Sequence, residues 1–493
     1  MEYTDQEKAR RVKLERLEEL GVDPYGHAFK ITESAKSIKN KYSGKSKEEL
    51  ESENNEAIIA GRIVLLRKMG KASFFTIKDR TGLQQVYISR DNVGEDNYTL
   101  FKTTSDVGDI VGVKGNVFLT DTGEITVRCL EYTHLTKALK PLPEKFHGLT
   151  DEEERRRKRY LDLITNDDSM EVAVARPRII RAMQEYFDSL GFIEVETPVL
   201  QMQRGGATAR PFVTYHNALQ SNLFLRIATE IPLKKLLVGG MEKVYEIGRI
   251  FRNEGVDTRH NPEFTSVELY EAYGNLDSMM ELTEGVIKFI ASKVYGRSTF
   301  VCDEKEIDIS KPFRRVNMTD LIKEKCGIDF KGNNYSLEEA IELAKAHDIK
   351  VEKHFTVGHI INEFFEKYCE EDLIEPTFLM GHPIEISPLT KEDPSDPRFV
   401  QRFELYICGT EYANAYTELN NPIEQRKRFE EELKQREAGN EEAGDVDETF
   451  LEALEYGMPP AGGVGIGVDR LVMFFTEKSS IRDVLLFPHM KNK

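Results

Sequence analysis

Between Ala57 and Leu135 the chain repeats short runs rich in Val, Ile, Phe and Thr: AIIAGRIVLLRKMG, ASFFTIKD, GLQQVYISRD, DIVGVKGNVFLT and GEITVRCLEYTHL. Turn signals at Asp79–Gly82 and Thr120–Gly123 separate some of them. Five strands at this spacing predict a small Greek-key barrel, for which the OB-fold is the frequent five-stranded form. Upstream, Val12, Leu14, Leu17 and Leu20 recur at helical spacing and stop at Gly21, while residues 30–56 are polar and aperiodic. Residues 1–56 are therefore read as a helix and a connector, and 57–135 as the barrel.

Residues 136–169 read as a linker. They hold Pro141 and Pro143, then the acidic block Asp151–Glu154 and the basic block Arg155–Arg159. That charge pattern suits a solvated helix with i,i+4 ion pairs and equally a basic hinge near a phosphate backbone. From residue 170 to 493 helical and extended patterns alternate. Ile179, Ile180, Met183, Phe187 and Leu190 share one helical face closed by Gly191; residues 276–370 resemble a helical insertion, and 423–455 a charged helical stretch. The acidic segment 437–448 has no assignable role.

No run approaches 18 apolar residues and the N-terminus lacks an apolar leader, so a cytoplasmic protein without a membrane span is expected. The five cysteines (129, 302, 326, 369, 408) form no C-x-x-C pair, which argues against a disulfide framework or structural zinc and predicts five buried thiols. A net charge of −18 opposes wholesale wrapping around duplex DNA but allows a nucleic-acid partner at clustered basic residues.

No phosphate-cradling G-x-x-x-x-G-K-[ST] loop occurs, and Gly463, Gly465 and Gly467 lack the spacing of a dinucleotide fingerprint. Chemistry concentrates in three places. In KVYEIGRIFRNEGVDTRHNPEFTSVELYEAY, from Lys243 to Tyr273, two alternating runs flank a polar loop carrying Asn253, Glu254, Arg259 and His260. Period two places Phe264, Ser266, Glu268 and Tyr270 on one face, beside Arg252 at the end of the facing strand. Lone charges on a core face are costly, so this surface suits a phosphate, a flat base and a cation. In RFELYICGTEYANAYTELN a turn near Cys408-Gly409 sets Glu404 roughly opposite Glu411, a pair suited to Mg²⁺, with Asn414, Tyr416 and Glu418 on one face. A surface hairpin with scattered acids fits that segment equally well. In PPAGGVGIGVDRLVMFF a glycine-rich strand admits close approach of a ligand, Asp469 is expected to cap the next helix, and Arg470 in its first turn calls for an anionic or aromatic partner.

These segments resemble the class II aminoacyl-tRNA synthetases, of bacterial lysyl type. Their three motifs occur in order: RPRIIRAMQEYFDSLGFIEVETP, FRNEG with RHNPEFT, and GIGVDR. QRGGATARPF, LRIATEIPLK, TKALKPLPEKFHGL and GTEYANAYTELN carry the lysyl likeness. The resemblance spans about residues 57–493 and implies an α+β chain. An OB-fold anticodon-binding barrel would precede a catalytic domain built on an antiparallel sheet flanked by helices. It implies lysyl-adenylate formation from L-lysine and ATP with Mg²⁺, transfer to tRNA(Lys), and a homodimer formed through the helix Arg178–Leu190. By resemblance Arg252, Arg470 and His260 are catalytic. Arg252 would hold the α-phosphate and the lysine carboxylate, Glu254 adenine, His260 the terminal phosphate, and Phe264 and Arg470 the two faces of the base. Glu404 and Glu411 would hold Mg²⁺, with Glu404 also in the ATP set. Gly206, Glu230, Glu268, Tyr270, Asn414, Tyr416 and Glu418 would form the lysine pocket with Arg252. Phe75 and Gln85 would meet anticodon bases. Lys68–Ser73 is loosely like the KMSKS loop of class I synthetases, but no HIGH signature precedes it. The alternatives are an aspartyl or asparaginyl relative, a truncated paralogue that modifies a protein, and a non-catalytic RNA-binding paralogue.

Overall fold

The computed structural model describes residues 2–53, 55–143, 149–203, 205–207, 209–440 and 444–491. Residues 144–148 of the TKALKPLPEKFHGL segment, Arg204 and Thr208 of QRGGATARPF, and 441–443 of the acidic stretch lie outside them. The chain divides into two compact units, Met1–Thr150 and Asp151–Lys493.

In the first unit β1 (Glu56–Lys68), β2 (Ala72–Asp79), β3 (Gly82–Ser89), β4 (Ile110–Leu119) and β5 (Ile125–Thr136) close into a barrel in the order β1-β2-β3-β5-β4. Strict alternation drives closure: along β2, Ser73, Phe75 and Ile77 point inward while Phe74 and Thr76 stay partly exposed. The helix Glu95–Thr104 adds Tyr98 and Phe101 to the barrel core. Residues 30–56 are not a bare connector. Helices Ala35–Tyr42 and Lys47–Ser52 bury Ile38, Tyr42 and Leu50 in that same core. Helix α1 (Asp5–Glu19) starts at a Thr4–Glu7 capping box.

The second unit is built on a sheet of eight strands: β6 (Ile193–Glu194), β7 (Lys243–Phe251), β8 (Glu263–Ala272), β9 (Arg314–Asn317), β10 (Thr377–Met380), β11 (Arg402–Ile407), β12 (Thr410–Thr417) and β13 (Ala461–Gly467). Their order is β9-β10-β11-β12-β13-β8-β7-β6. The middle is antiparallel, as expected, but both margins end in parallel pairs, β9 with β10 and β6 with β7. Helices α2 (Asp167–Ser189), α3 (Glu230–Val238), α4 (Leu276–Ile290) and α5 (Val468–Phe475) belong to this unit, α5 being buried at every position but Arg470. One face of the sheet is core: Val267 and Leu269 of β8 and Val464 and Ile466 of β13 pack with Met183 and Phe187 of α2 and Val286 of α4.

Segment 276–370 is helical as expected only in part: α4 lies in the main core and β9 joins the sheet, while the helices after residue 317 supply much of a second hydrophobic cluster. Residues 152–165 are not a linker. They form two short helices in which Arg155 and Arg159 share the buried Asp162, Arg156 reaches Asp483, and Arg157 and Lys158 pair with Glu153 and Glu154. The ion pairs expected of a solvated helix are present there. All five cysteines are free; Cys129, Cys369 and Cys408 are buried, whereas Cys302 and Cys326 are partly exposed. Among the described residues no helix is long and apolar enough to cross a membrane.

Candidate active site

The other face of the large sheet is open because β13 carries glycine at every second position, 463, 465 and 467, with Val464 and Ile466 facing the core. Cross-strand register turns those gaps into a floor. Glu268 and Asn414 flank Gly465, while Tyr270 and Tyr416 flank Gly463. A Cβ at Gly463 would stand 2.2 Å from Glu418 Oε1 and 2.4 Å from Tyr270 Cε1, so no side chain fits. Above this floor is a cavity of about 460 Å³. Gly206, Glu230, Arg252, Glu254, His260, Phe264, Glu268, Tyr270, Glu404, Glu411, Asn414, Tyr416 and Arg470 all line it.

One end of the cavity is cationic. Arg252 follows β7 and donates through Nε to the Ile227 carbonyl at 3.3 Å, its guanidinium 5.3 Å from the Phe264 ring centroid. Asp257 fixes His260 through Nδ1 at 2.8 Å, and His260 Nε2 lies 3.3 Å from an Arg470 nitrogen. With Nδ1–H donating to the carboxylate, Nε2 is left to accept from Arg470. Arg470 also donates to the Glu411 carbonyl at 2.5 Å and approaches its carboxylate at 3.4 Å, which supplies the expected anionic partner. Asp469 does not cap α5. It lies inside the first turn, where its carboxylate accepts from the Thr265 amide at 2.6 Å and from Arg176. It thereby ties α5 to β8 and α2.

The two β11–β12 carboxylates are not directly opposite. Cys408 and Gly409 form the turn with φ of 50° and 63°, but the register shifts between Leu405 and Tyr406, so Glu404 faces Asn414 and Glu411 faces Tyr406. Glu404 accepts from Arg402 at 2.5 Å and from the Tyr406 hydroxyl at 2.9 Å. Burial alone would raise the Glu404 carboxyl, yet Arg402 and His382 hold it well below the usual carboxylate range. Burial and the nearby Glu404 charge push Glu411 up, against Arg470 and Arg402. One ionised carboxylate crowding another is a donor set that a cation relieves. Among the described residues no cluster of three or more His, Cys, Asp or Glu forms a closed metal site. Two carboxylates alone would leave a cation with coordination positions for other oxygens, an arrangement that Mg²⁺ accepts.

The other end of the cavity is acidic and buried. Glu268 accepts from the Thr229 amide and from the Tyr270 hydroxyl, both at 3.0 Å, and burial with Glu230 nearby pushes it up to about 7. Gly206, at φ +87°, packs against Ala228 and Glu230. Glu418 is displaced from its expected place on the wall: it is 0 % exposed and ion-paired with Lys234, which also meets Glu230 Oε1 at 2.5 Å. Lys234 and Arg402 were not singled out by the sequence reading. The signals available were the i,i+4 spacing of Glu230 and Lys234, and the shared strand face of Arg402 and Glu404.

In the first unit the structure brings Gln85 to the outer barrel face, where it donates to Thr126 at 2.9 Å, but it buries Phe75. Phe75 is 1 % exposed and packs on Phe101 in the core, so its assignment to a nucleic-acid surface fails on strand parity. Phe74 faces outward instead, 5.0 Å from the Tyr87 ring, with Phe118 and its stacked Arg128 beyond.

A family model described as class II tRNA synthetases (D, K and N) matches residues 151–491, and one described as an OB-fold nucleic acid binding domain matches 57–135. The lysine–tRNA ligase of Staphylococcus epidermidis is 54% identical over 494 residues, 100% of this chain and 99% of its own length. That of Lactococcus lactis is 55% identical over 491 residues, 99% of each chain. The Bacillus subtilis lysine–tRNA ligase is 54% identical over 492 residues, covering 100% of this chain and 98% of that protein. The chain belongs to the class II lysine–tRNA ligase family. Membership gives the cavity its frame: a class II synthetase works on ATP and an amino acid, and the OB-type barrel is the family's nucleic-acid module.

Proposed function

We propose that the chain activates L-lysine with ATP and transfers the lysyl group to tRNA(Lys). The observation that carries this reading is the polarity of one cavity, with arginines and an aromatic ring at one end and desolvated carboxylates at the other. An aspartyl or asparaginyl substrate offers its side chain no use for such carboxylates, whereas an ammonium leaving water requires them. In the first step the lysine carboxylate attacks the α-phosphorus of ATP and pyrophosphate leaves. In the second, a terminal ribose hydroxyl of tRNA takes the acyl group and AMP leaves. The first nucleophile is already anionic, so positioning and charge neutralisation supply the rate.

Arg252 is assigned to the α-phosphate and the lysine carboxylate, Phe264 to the adenine face, Glu254 to its edge, and His260 with Arg470 to the phosphates. Glu404 and Glu411 would hold Mg²⁺, whose contribution is to offset phosphate charge. Glu230, Glu268, Tyr270, Asn414, Tyr416 and Gly206 would surround the amino acid. Phe74 takes the place first given to Phe75 and, with Gln85, would receive anticodon bases by stacking and edge contacts. The reading includes a cytoplasmic location and a homodimer. The apolar stripe of α2 faces its own core, but Ile193, Leu200, Met202, Val213 and Tyr215 are exposed and suit a second copy. Amino-acid-dependent ATP–pyrophosphate exchange across the twenty amino acids tests the proposal; exchange with lysine is expected, and its absence refutes it.

A further inference from the structure

Lys234 is 0 % exposed, an unusual state for a lysine, and it sits behind the amino-acid pocket rather than in its wall. Helix α3 places it one turn after Glu230, whose Oε1 is 2.5 Å from its Nζ, and the same ammonium pairs with Glu418. The Lys234 ammonium is what meets the Glu418 carboxylate, as ion pair and hydrogen-bond donor together. Glu418 cannot retreat. Gly463 and Tyr270 enclose it, and only the missing Cβ at 463 leaves room for its oxygen. Glu230 and Glu418 thus share the Lys234 ammonium, with Glu268 beside them, while Arg402, the other buried cation nearby, is paired with Glu404.

We propose that Lys234 is a positioning and specificity residue: it neutralises one of the three inner carboxylates, so that two negative charges remain for a substrate with two ammonium groups. The inference rests on the lysine reading above and deepens it. Without Lys234 the pocket would hold three crowded buried carboxylates, which take up protons rather than bind two ammonium groups. Without Glu418 as well, the charge left by Glu230 and Glu268 is again two. The groups facing this cluster are Glu230 and Lys234 from α3, Glu268 and Tyr270 from β8, Arg402 from β11, Tyr416 and Glu418 from β12 and its end, and Glu432 from the helix Pro422–Glu437. A neutral amino acid of similar length leaves one pocket charge unmatched, which is the basis of selection against it.

The test uses the full chain in lysine-dependent ATP–pyrophosphate exchange, with Lys234→Met, Glu418→Gln and the double variant. Each single change is expected to raise the lysine KM by about tenfold or more with the ATP KM within about threefold, because each leaves a buried charge unmatched. The double variant is expected to return the lysine KM to within about fivefold of the unmodified chain, a coupling that additive damage cannot give. In Lys234→Met the pH at which lysine binding weakens should rise. If Lys234→Met does not fold, the double variant must still bind lysine more tightly than Glu418→Gln. The proposal is overturned by additive effects, by lysine and ATP constants moving together, or by a double variant that does not fold. Absence of lysine-dependent exchange in the unmodified chain refutes the lysine reading itself and is scored before any variant.

Discussion

The two units handle recognition in opposite ways. The barrel closes an apolar core completely and offers Phe74, Tyr87, Phe118 and Arg128 on its outside, where a ligand would add contacts and the fold would lose little without them. The catalytic unit brings its polar groups indoors. Glu230, Glu268, Glu418 and Lys234 are all buried; the carboxylates crowd one another toward the neutral form, and Lys234 opposes this at Glu230 and Glu418. Surface stacking tolerates a change of partner because every base has a π-face. Buried charge does not, since an unmatched group retains its full desolvation cost. One region is thus suited to a flexible polymer and the other to one small, doubly charged molecule.

The contrast is sharpest at adjacent phenylalanines. Phe75→Ala should destabilise the barrel by ~3–5 kcal/mol through the cavity it leaves beside Phe101 and Tyr132, read as a lowered unfolding transition. Next in size, Arg252→Ala should slow pyrophosphate exchange about 10²–10³-fold with the melting temperature unchanged, as expected for a donor aimed at developing charge. Exchange within tenfold of the unmodified chain would remove Arg252 from its assigned role. Phe74→Ala should leave both the barrel's stability and lysine activation intact while costing ~1–3 kcal/mol of tRNA affinity. If instead Phe75→Ala weakens tRNA without destabilising the barrel, the assignment by strand parity is broken. Glu268→Gln keeps volume and removes charge. The lysine KM should rise about tenfold or more while the ATP KM moves far less.

The smallest effect concerns pH. The Glu268 carboxyl is held near 7 by burial and by Glu230, above its unfolded value of about 4.5. The stability it lends the free protein is present below that unfolded value and is lost as pH rises through about 7. A bound ammonium restores a partner to the ionised form. The rise in melting temperature produced by lysine should therefore grow between pH 6 and pH 8 (flanking the Glu268 midpoint), and lysine binding should release protons across that window. A shift independent of pH would place the substrate ammonium elsewhere.

What the sequence made legible follows from periodicity. Alternation along β8 places Phe264, Ser266, Glu268 and Tyr270 together because that strand pairs without a shift, with β7 from Glu263 to Glu271 and with β13 from Ser266 to Ala272. Where regularity fails, so does inference. The shift between Leu405 and Tyr406 puts Glu404 opposite Asn414 where the register of the turn would give Ala413, a local feature with no composition signal. Two consecutive aromatics leave strand parity undecided, and only closure of the barrel says that Phe75 is inside. Lys234 is illegible for another reason: a lysine on a helix looks solvated until the sheet supplies the carboxylates that bury it. Asp469 looks like a cap by position and proves to be a tether, because α2 and β8 converge on it from far away in the chain.

The alternate glycines of β13 carry an implication for how such a pocket could change. They are unequal: a methyl at 463 collides with Glu418 and Tyr270, whereas one at 465 would find nothing closer than Glu268 Cγ at 3.6 Å and the Asn414 carbonyl at 3.9 Å. Gly463 is locked by its neighbours, but Gly465 is an adjustable floorboard. Gly465→Ala should fold and shorten the room available to the amino acid, so a shorter diamine such as ornithine gains relative to lysine. A change of substrate size would then lie one methyl group away, with every charge left where it stands.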